Sequence, residues 1–260
     1  MNRCDKTSDG PVRGGRAPAV CPPFLAPLPS HAPDAPAGRG PGARAQERFV
    51  DRAYRDLLDR PAHSGELLLY PALLDRGAWT RSQVAGAILT GVDYRIHLVL
   101  RLHRALLGRA ADLPRLMRCV QFLAAGGAVV RLKEMLLGLP EYFINRGGNT
   151  HAGFLRALYR DVLGREIGPA ELEAESRQLQ AGVARGAVVW RVLAGAEAHR
   201  ALVRGWHRQL LRRPADPAGM VTYVGFLRQG RQEEEVLADL VGSDEYFALA
   251  QAEEPPAGPR

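Results

Sequence analysis

The sequence predicts an all-α protein of four three-helix units, arranged as two tandem pairs behind an unstructured N-terminal tail. Three observations predict it. The pattern Tyr/His-Arg-x-Leu/Val-Leu-x-Arg occurs four times, starting at Tyr54, His103, Tyr159 and His207. Apolar residues surround every copy at helical spacing. Helix-starting and helix-ending residues recur at fixed distances after it.

Residues 1–45 are rich in Pro, Gly, Ala and Arg and show no period. Such a segment cannot bury enough apolar surface to offset the entropy of ordering, so a disordered tail is expected. The first helix of each unit ends in the repeated stretch. In the first copy its apolar positions are Phe49, Val50, Ala53, Tyr54, Leu57 and Leu58, and the other three copies repeat the spacing. Steps of one and three keep all six on one face of a 3.6-residue helix, and that face must pack on something. The expected structural anchors are therefore Tyr54, His103, Tyr159 and His207, with Leu58, Leu107, Leu163 and Leu211 beside them.

A second helix starts nine or ten residues past each anchor, at Ser64, Asp112, Gly168 and Asp216. Ser and Asp accept a bond from a free N–H of the first turn. Pro169 and Pro217 follow at the position that tolerates proline best. Gly77, Gly126, Gly182 and Gly230 stand 23 residues past the anchors, where glycine ends a helix in the left-handed conformation. A third helix follows. It opens with Thr80 and Gln83 as a capping box in unit one, and with Glu233, Glu234 and Glu235 in its first turn in unit four.

The anchors are separated by 49, 56 and 48 residues. The longer interval contains "NRGGNT", residues 145–150, read as a linker between pair one (46–146) and pair two (150–250). Odd copies carry Tyr at the anchor and even copies His. Both even copies end in Glu-Tyr-Phe. The first ends in "TGVDY" and the third in "AGAEAH", departures that read as degenerate ends. Residues 251–260 form a second Pro-rich tail.

The stretches "FVDRAYRDLLDR", "TRSQVAGAILTGVDY", "FLRALYRDVLGR", "RRPADPAGMVTYVGFLRQG" and "ADLVGSDEYF" resemble a bacterial repeat family, domain of unknown function 4214. The resemblance spans about residues 49–250. It implies a fold related to the phycobilisome linker domain, a structural or interaction role without catalytic residues, and an extracellular or cell-surface setting. No secretory signal is visible, because the apolar "AVCPPFLAPL" is cut by three prolines.

The net charge of +7 invites nucleic acid, but the cations are almost all Arg, spread along helices instead of gathered in a patch. No stretch reaches the roughly eighteen apolar residues of a membrane span. Cys4, Cys21 and Cys119 have no CxxC spacing. No HExxH, GxSxG or phosphate loop occurs, and "ADPAG" (215–219) lacks the acids of a calcium loop. His103 and His207 share a slot with Tyr, which reads as packing of an amphipathic ring. His97 and His199 are expected at the surface, and His31 falls in the tail.

Arg at anchor plus one and plus six (Arg55 and Arg60, Arg104 and Arg109, Arg160 and Arg165, Arg208 and Arg213) could bind an anion. The stronger reading has them capping helix C-termini and pairing with the unit-ending Glu. No catalytic residue, cofactor or metal site is expected. The function expected is a non-enzymatic interaction protein with a protein partner. The alternatives are an accessory region of an enzyme such as a glycosyltransferase, and an Arg-driven nucleic-acid binder.

Overall fold

The computed structural model describes residues 41–252, which are helical and contain no strand. Unit one comprises α1 (Pro41–Leu58), α2 (Ser64–Asp75) and α3 (Arg81–Thr90). Unit two comprises α4 (Val92–Leu102), continued by a π-helical turn over His103–Leu107, then α5 (Leu113–Ala124), α6 (Val129–Leu137) and α7 (Pro140–Asn145). Unit three comprises α8 (His151–Leu163), α9 (Pro169–Gln180) and α10 (Arg185–Leu193). Unit four comprises α11 (Ala196–Leu210), α12 (Pro217–Arg228), α13 (Glu233–Val241) and α14 (Asp244–Ala252).

The periodic face of the anchor helices makes the core. Phe49, Val50, Phe154, Leu155, Leu158 and Val203 are fully buried, as are Val84, Val188 and Val236 of the third helices. The four anchors and Leu58, Leu107, Leu163 and Leu211 all lie inside this core. Gly77, Gly126, Gly182 and Gly230 take φ of 64°, 88°, 91° and 88°, the left-handed values that close the second helices. Asp112 and Asp216 cap α5 and α12 through Arg115 N–H and Gly219 N–H, each at 2.8 Å.

Four local expectations change. Units two and four are not three-helix units: each adds a short helix, α7 and α14, because Pro140 and the Asp244-Glu245 pair start a new helix after the third one ends. The tail read as ending at residue 45 is helical from Pro41, where α1 begins, and the tail read as starting at residue 251 is helical through Ala252, where α14 ends; the remainder of both tails lies outside the described residues. Pro at the start of a helix loses no needed N–H, so a Pro-Gly-Ala-Arg-Ala sequence is compatible with both tail and helix. Ser64 is inside α2, not its cap. The cap position is His63, whose own N–H donates to Glu66 Oε2 at 2.6 Å, so the carboxylate three residues on bonds the cap residue's backbone and no Ser hydroxyl caps the first turn. The "NRGGNT" segment is a packed turn, not a loose linker. Gly147 is buried, and a methyl group on it would stand 2.6 Å from the Phe143 carbonyl oxygen and 2.8 Å from Phe154 Cα. Asn149 N–H closes the turn on Phe143 O at 3.1 Å, and Thr150 Oγ1 caps α8 by accepting from Gly153 N–H at 3.0 Å.

The described residues, 41–252, fall in one compact unit in which the two pairs interlock. The third helices pair across the pairs, α3 with α13 and α6 with α10, while α14 packs on α1 as α7 packs on α8. The helix contacts of units one and two are thus matched by those of units three and four in a pseudo-twofold pattern. Each unit touches the next and the fourth touches the first, so the described helices close into a ring at α1 and α14: Gln251 Nε2 donates to Ala45 O at 3.0 Å.

Candidate functional site

The Arg six residues past each anchor does the same thing in all four units. Its guanidinium donates to the carbonyl of the next residue and to an acid in the first turn of a helix about 32 residues on. Arg60 Nη2 reaches Asp93 Oδ2 at 3.0 Å and Arg109 Nη2 reaches Glu141 Oε2 at 2.8 Å. Arg165 Nη2 reaches Glu197 Oε2 at 2.9 Å and Arg213 Nη2 reaches Glu245 Oε2 at 2.7 Å. The bonds to Pro61, Ala110, Glu166 and Pro214 carbonyls span 3.0–3.1 Å. Each clamp ties the end of an anchor helix to the start of a later helix, where a negative charge also suits the helix dipole. The unit ends of copies one and three therefore keep their acid. Arg109 Nε donates to the other Glu141 oxygen, and these bonds hold the Glu141 carboxyl down to about 2. At anchor plus one, Arg55 pairs with Asp51 at 2.7 Å and Arg160 with Glu166 at 2.9 Å, both at the surface.

The anchor rings divide as their identities do. His103 Nδ1–H and His207 Nδ1–H each donate to the carbonyl four residues back, Val99 and Val203, at 2.9 Å. Tyr54 and Tyr159 instead lie under the clamp Arg of their own unit, with Arg60 and Arg165 at 4.7 and 5.2 Å from the ring centroids. Burial lowers the pKa of His103, so a neutral ring is what the core holds. His97 and His199, expected at the surface, are half-buried, and burial lowers their pKa as well.

The unit-ending tyrosines build the junctions. Tyr142 and Tyr246 are fully buried, and their hydroxyls donate to Asp161 Oδ2 at 2.8 Å and Asp56 Oδ2 at 2.9 Å, the acid two residues past the anchor in each case. Burial and the adjacent carboxylate raise both tyrosine pKa values, so both remain donors.

Two features remain after these pairings. Leu68, Met117 and Val221 are exposed at the same repeat position, 14 residues past the anchor on the second helices, where unit three carries Glu173. A cleft of about 920 Å³ opens between α6, α10 and α11 and reaches α4 and the α12–α13 turn. Arg131 stacks on Trp190 at 3.6 Å within it, Lys133 Nζ pairs with Glu233 Oε2 at 2.6 Å, and Trp206 and Gln209 form another wall. None of the cleft residues was marked by the repeat pattern as functional. The one available signal was the departure of "AGAEAH" from the Glu-Tyr ending. Among the described residues no three His, Cys, Asp or Glu side chains converge as a metal site, and no helix is long and apolar enough to cross a membrane. No family model, curated protein or solved structure matches the chain.

Proposed function

We propose that the protein is a non-enzymatic helical scaffold that engages a protein partner. One observation carries this reading: the recurring side chains able to do chemistry are spent on structure, the clamp Arg on joining helix to helix and the His anchors on their own helices. The four clamp Arg are taken by Asp93, Glu141, Glu197 and Glu245, and the two His anchors by backbone carbonyls. The outer faces of the second helices and the cleft walls differ between units and can be reached by a partner. Exposed apolar side chains at one repeat position, Leu68, Met117 and Val221, support the same reading. The resemblance to the bacterial repeat family points the same way and adds an exported or cell-surface setting. The test is the mass of the protein purified from its own cells under native conditions. A stoichiometric protein partner, lost from a Leu68→Asp, Met117→Asp, Val221→Asp triple variant, is the expected result. A partner-free monomer that turns over a hydrolase or transferase substrate would overturn the reading, and sequence-selective nucleic-acid binding at physiological salt would replace it.

A further inference from the structure

The pseudo-twofold pattern gives the cleft a counterpart, and the counterpart is nearly full. The mate cavity, lined by Tyr94, Arg101 and Glu234 among others, has about 80 Å³ against about 920 Å³. Three substitutions between the halves account for the difference. Tyr94 follows the clamp acid Asp93 and fills the mate cavity; Ala198 follows the clamp acid Glu197 and leaves the cleft without that ring. Arg101 stands two residues before its anchor, and Gly205 stands two before His207. Gly86 and Trp190 each lie six residues past the N-cap of their helix. Gly86 meets Ala238, a small pair that lets α3 and α13 close together. Trp190 holds α10 away from α6. The backbone records the separation: a methyl on Gly242 would stand 2.5 Å from Ser82 N, whereas one on Gly138, its mate, would stand 3.9 Å from Gly186 Cα.

The walls also fix what would suit the space. A volume of this size falls within the roughly 300–1,000 Å³ of small-molecule sites. Its lining is mostly apolar, the mate volume holds an aromatic ring, and His199 Nδ1 is buried without a hydrogen-bond partner. Arg131, Lys133 and Arg231 already have acids, but Arg101 and Arg228 line the cleft with no ion pair among the described residues. We propose that the cleft binds an aromatic group carrying a negative charge, its ring beside Ala198 and Trp190 and its anion on Arg101 or Arg228. The site stands independently of the scaffold reading, since it requires no protein partner.

Two probes separate a free ligand from a side chain borne on a polypeptide: 1-anilinonaphthalene-8-sulfonate, and a capped peptide with one tyrosine between glutamates. Trp190 and Trp206 line the cleft, so energy transfer from tryptophan to the sulfonate, or quenching by the peptide, reads binding on the full chain. Micromolar binding of at least one probe is expected. It should weaken about tenfold in the Arg101→Ala, Arg228→Ala double variant, a loss of about 1.4 kcal/mol. Ala198→Tyr, which installs the residue of the mate half, should abolish binding while far-UV helicity is kept. If that variant does not fold, Gly205→Arg fills the same space and decides. Binding of neither probe, or binding unchanged in the filled variant, overturns the proposal. Binding that ignores the Arg pair overturns the anion.

Discussion

The ring has two junctions built from the same parts, and only one of them is covalent. At the first, α7 runs through a packed turn into α8. Tyr142 meets Phe154 edge-on at 6.0 Å, Phe143 lies tilted at 6.0 Å from the same ring, and Arg185 stacks on Phe143 at 4.5 Å. At the second, α14 meets α1 with no chain between them. Tyr246 meets Phe49 edge-on at 6.1 Å, Phe247 lies tilted at 6.1 Å, and Arg81 stacks on Phe247 at 4.5 Å. The two tyrosine–aspartate bonds span 19 residues at the first junction and 190 at the second. Loop-closure entropy grows as 1.5RT ln n, so the tenfold longer loop costs about 2 kcal/mol more to close. The second junction carries added bonds where that cost falls. Arg52 Nη2 reaches Leu210 O at 3.1 Å, Arg212 reaches Asp56 at 3.0 Å, Arg81 also bonds Gly242 O at 3.2 Å, and Arg48 reaches Gln251 at 2.8 Å. The continuous junction has one such addition, Arg146 Nη2 to Asp161 Oδ1 at 2.7 Å; the junction without a chain between its helices has several.

The sharpest way to break this comparison is to remove its two central rings. Phe49 and Phe154 are both fully inaccessible, and Phe→Ala at either site should cost about 3–5 kcal/mol in urea unfolding. A cost below about 1 kcal/mol at Phe49 alone would mean that α14 and α1 are not part of the cooperative core. A permuted chain tests the same equivalence from the other side. Joining residue 252 to residue 41 through a short linker and opening the chain between Gly148 and Asn149 exchanges the two roles. It should fold with unchanged helicity and lie within about 2 kcal/mol of the parent. Loss of the fold would show that the packed turn is needed for folding.

Smaller effects sharpen the picture. Tyr142→Phe and Tyr246→Phe each delete a hydroxyl donor to a carboxylate, worth about 1.5–3 kcal/mol. The two losses should lie within about 1 kcal/mol of each other, because each carboxylate keeps an Arg partner, Asp161 with Arg146 and Asp56 with Arg52 and Arg212. Acid should act in two stages. Burial lowers the pKa of His97, His103 and His199 below the usual 6.5, so the unfolded chain takes up those protons first and stability erodes as pH falls below about 6.5. Glu141, lowered from 4.5 to about 2 by Arg109, contributes stability present above about pH 4.5 and lost toward pH 2. Arg109→Ala should flatten that second limb in a pH series of thermal melts. The smallest effect concerns backbone shape. Asp59, Gly108, Gly164 and Arg212 occupy one repeat position and all take left-handed φ, between 53° and 71°. Gly164→Ala has open space around it, so only the conformation resists, and it should cost about 1 kcal/mol.

Local features of the fold were legible because they are written locally. The six-residue periodic face around each anchor specifies a buried helix stripe, and the glycines 23 residues on specify left-handed stops. The clamp between Arg109 and Glu141 was half legible: both partners repeat, but their meeting depends on how units stack. The closure of α14 on α1 was not legible, since no periodicity within a segment says which distant face will cover it. The "GGN" turn misled because glycine serves both mobility and tight packing, and only the contact with Phe154 decides between them. The cleft was hidden for a related reason. Ala198 in place of a tyrosine was visible as a departure, but an absent ring becomes a cavity only when nothing else moves in, and Trp190 is what keeps the neighbouring helices from doing so.

The meeting of the two ends has a mechanical side. Ala45 and Gln251 are in direct contact, so tension applied through α1 and α14 falls on the α1–α14 seam before it reaches the other helices of the four units. The helices there are held by side chains alone and can peel apart one contact at a time. Under load the ring should lengthen in two steps, first by opening at this seam and only later by unravelling, with the clamps of all four units still closed in between.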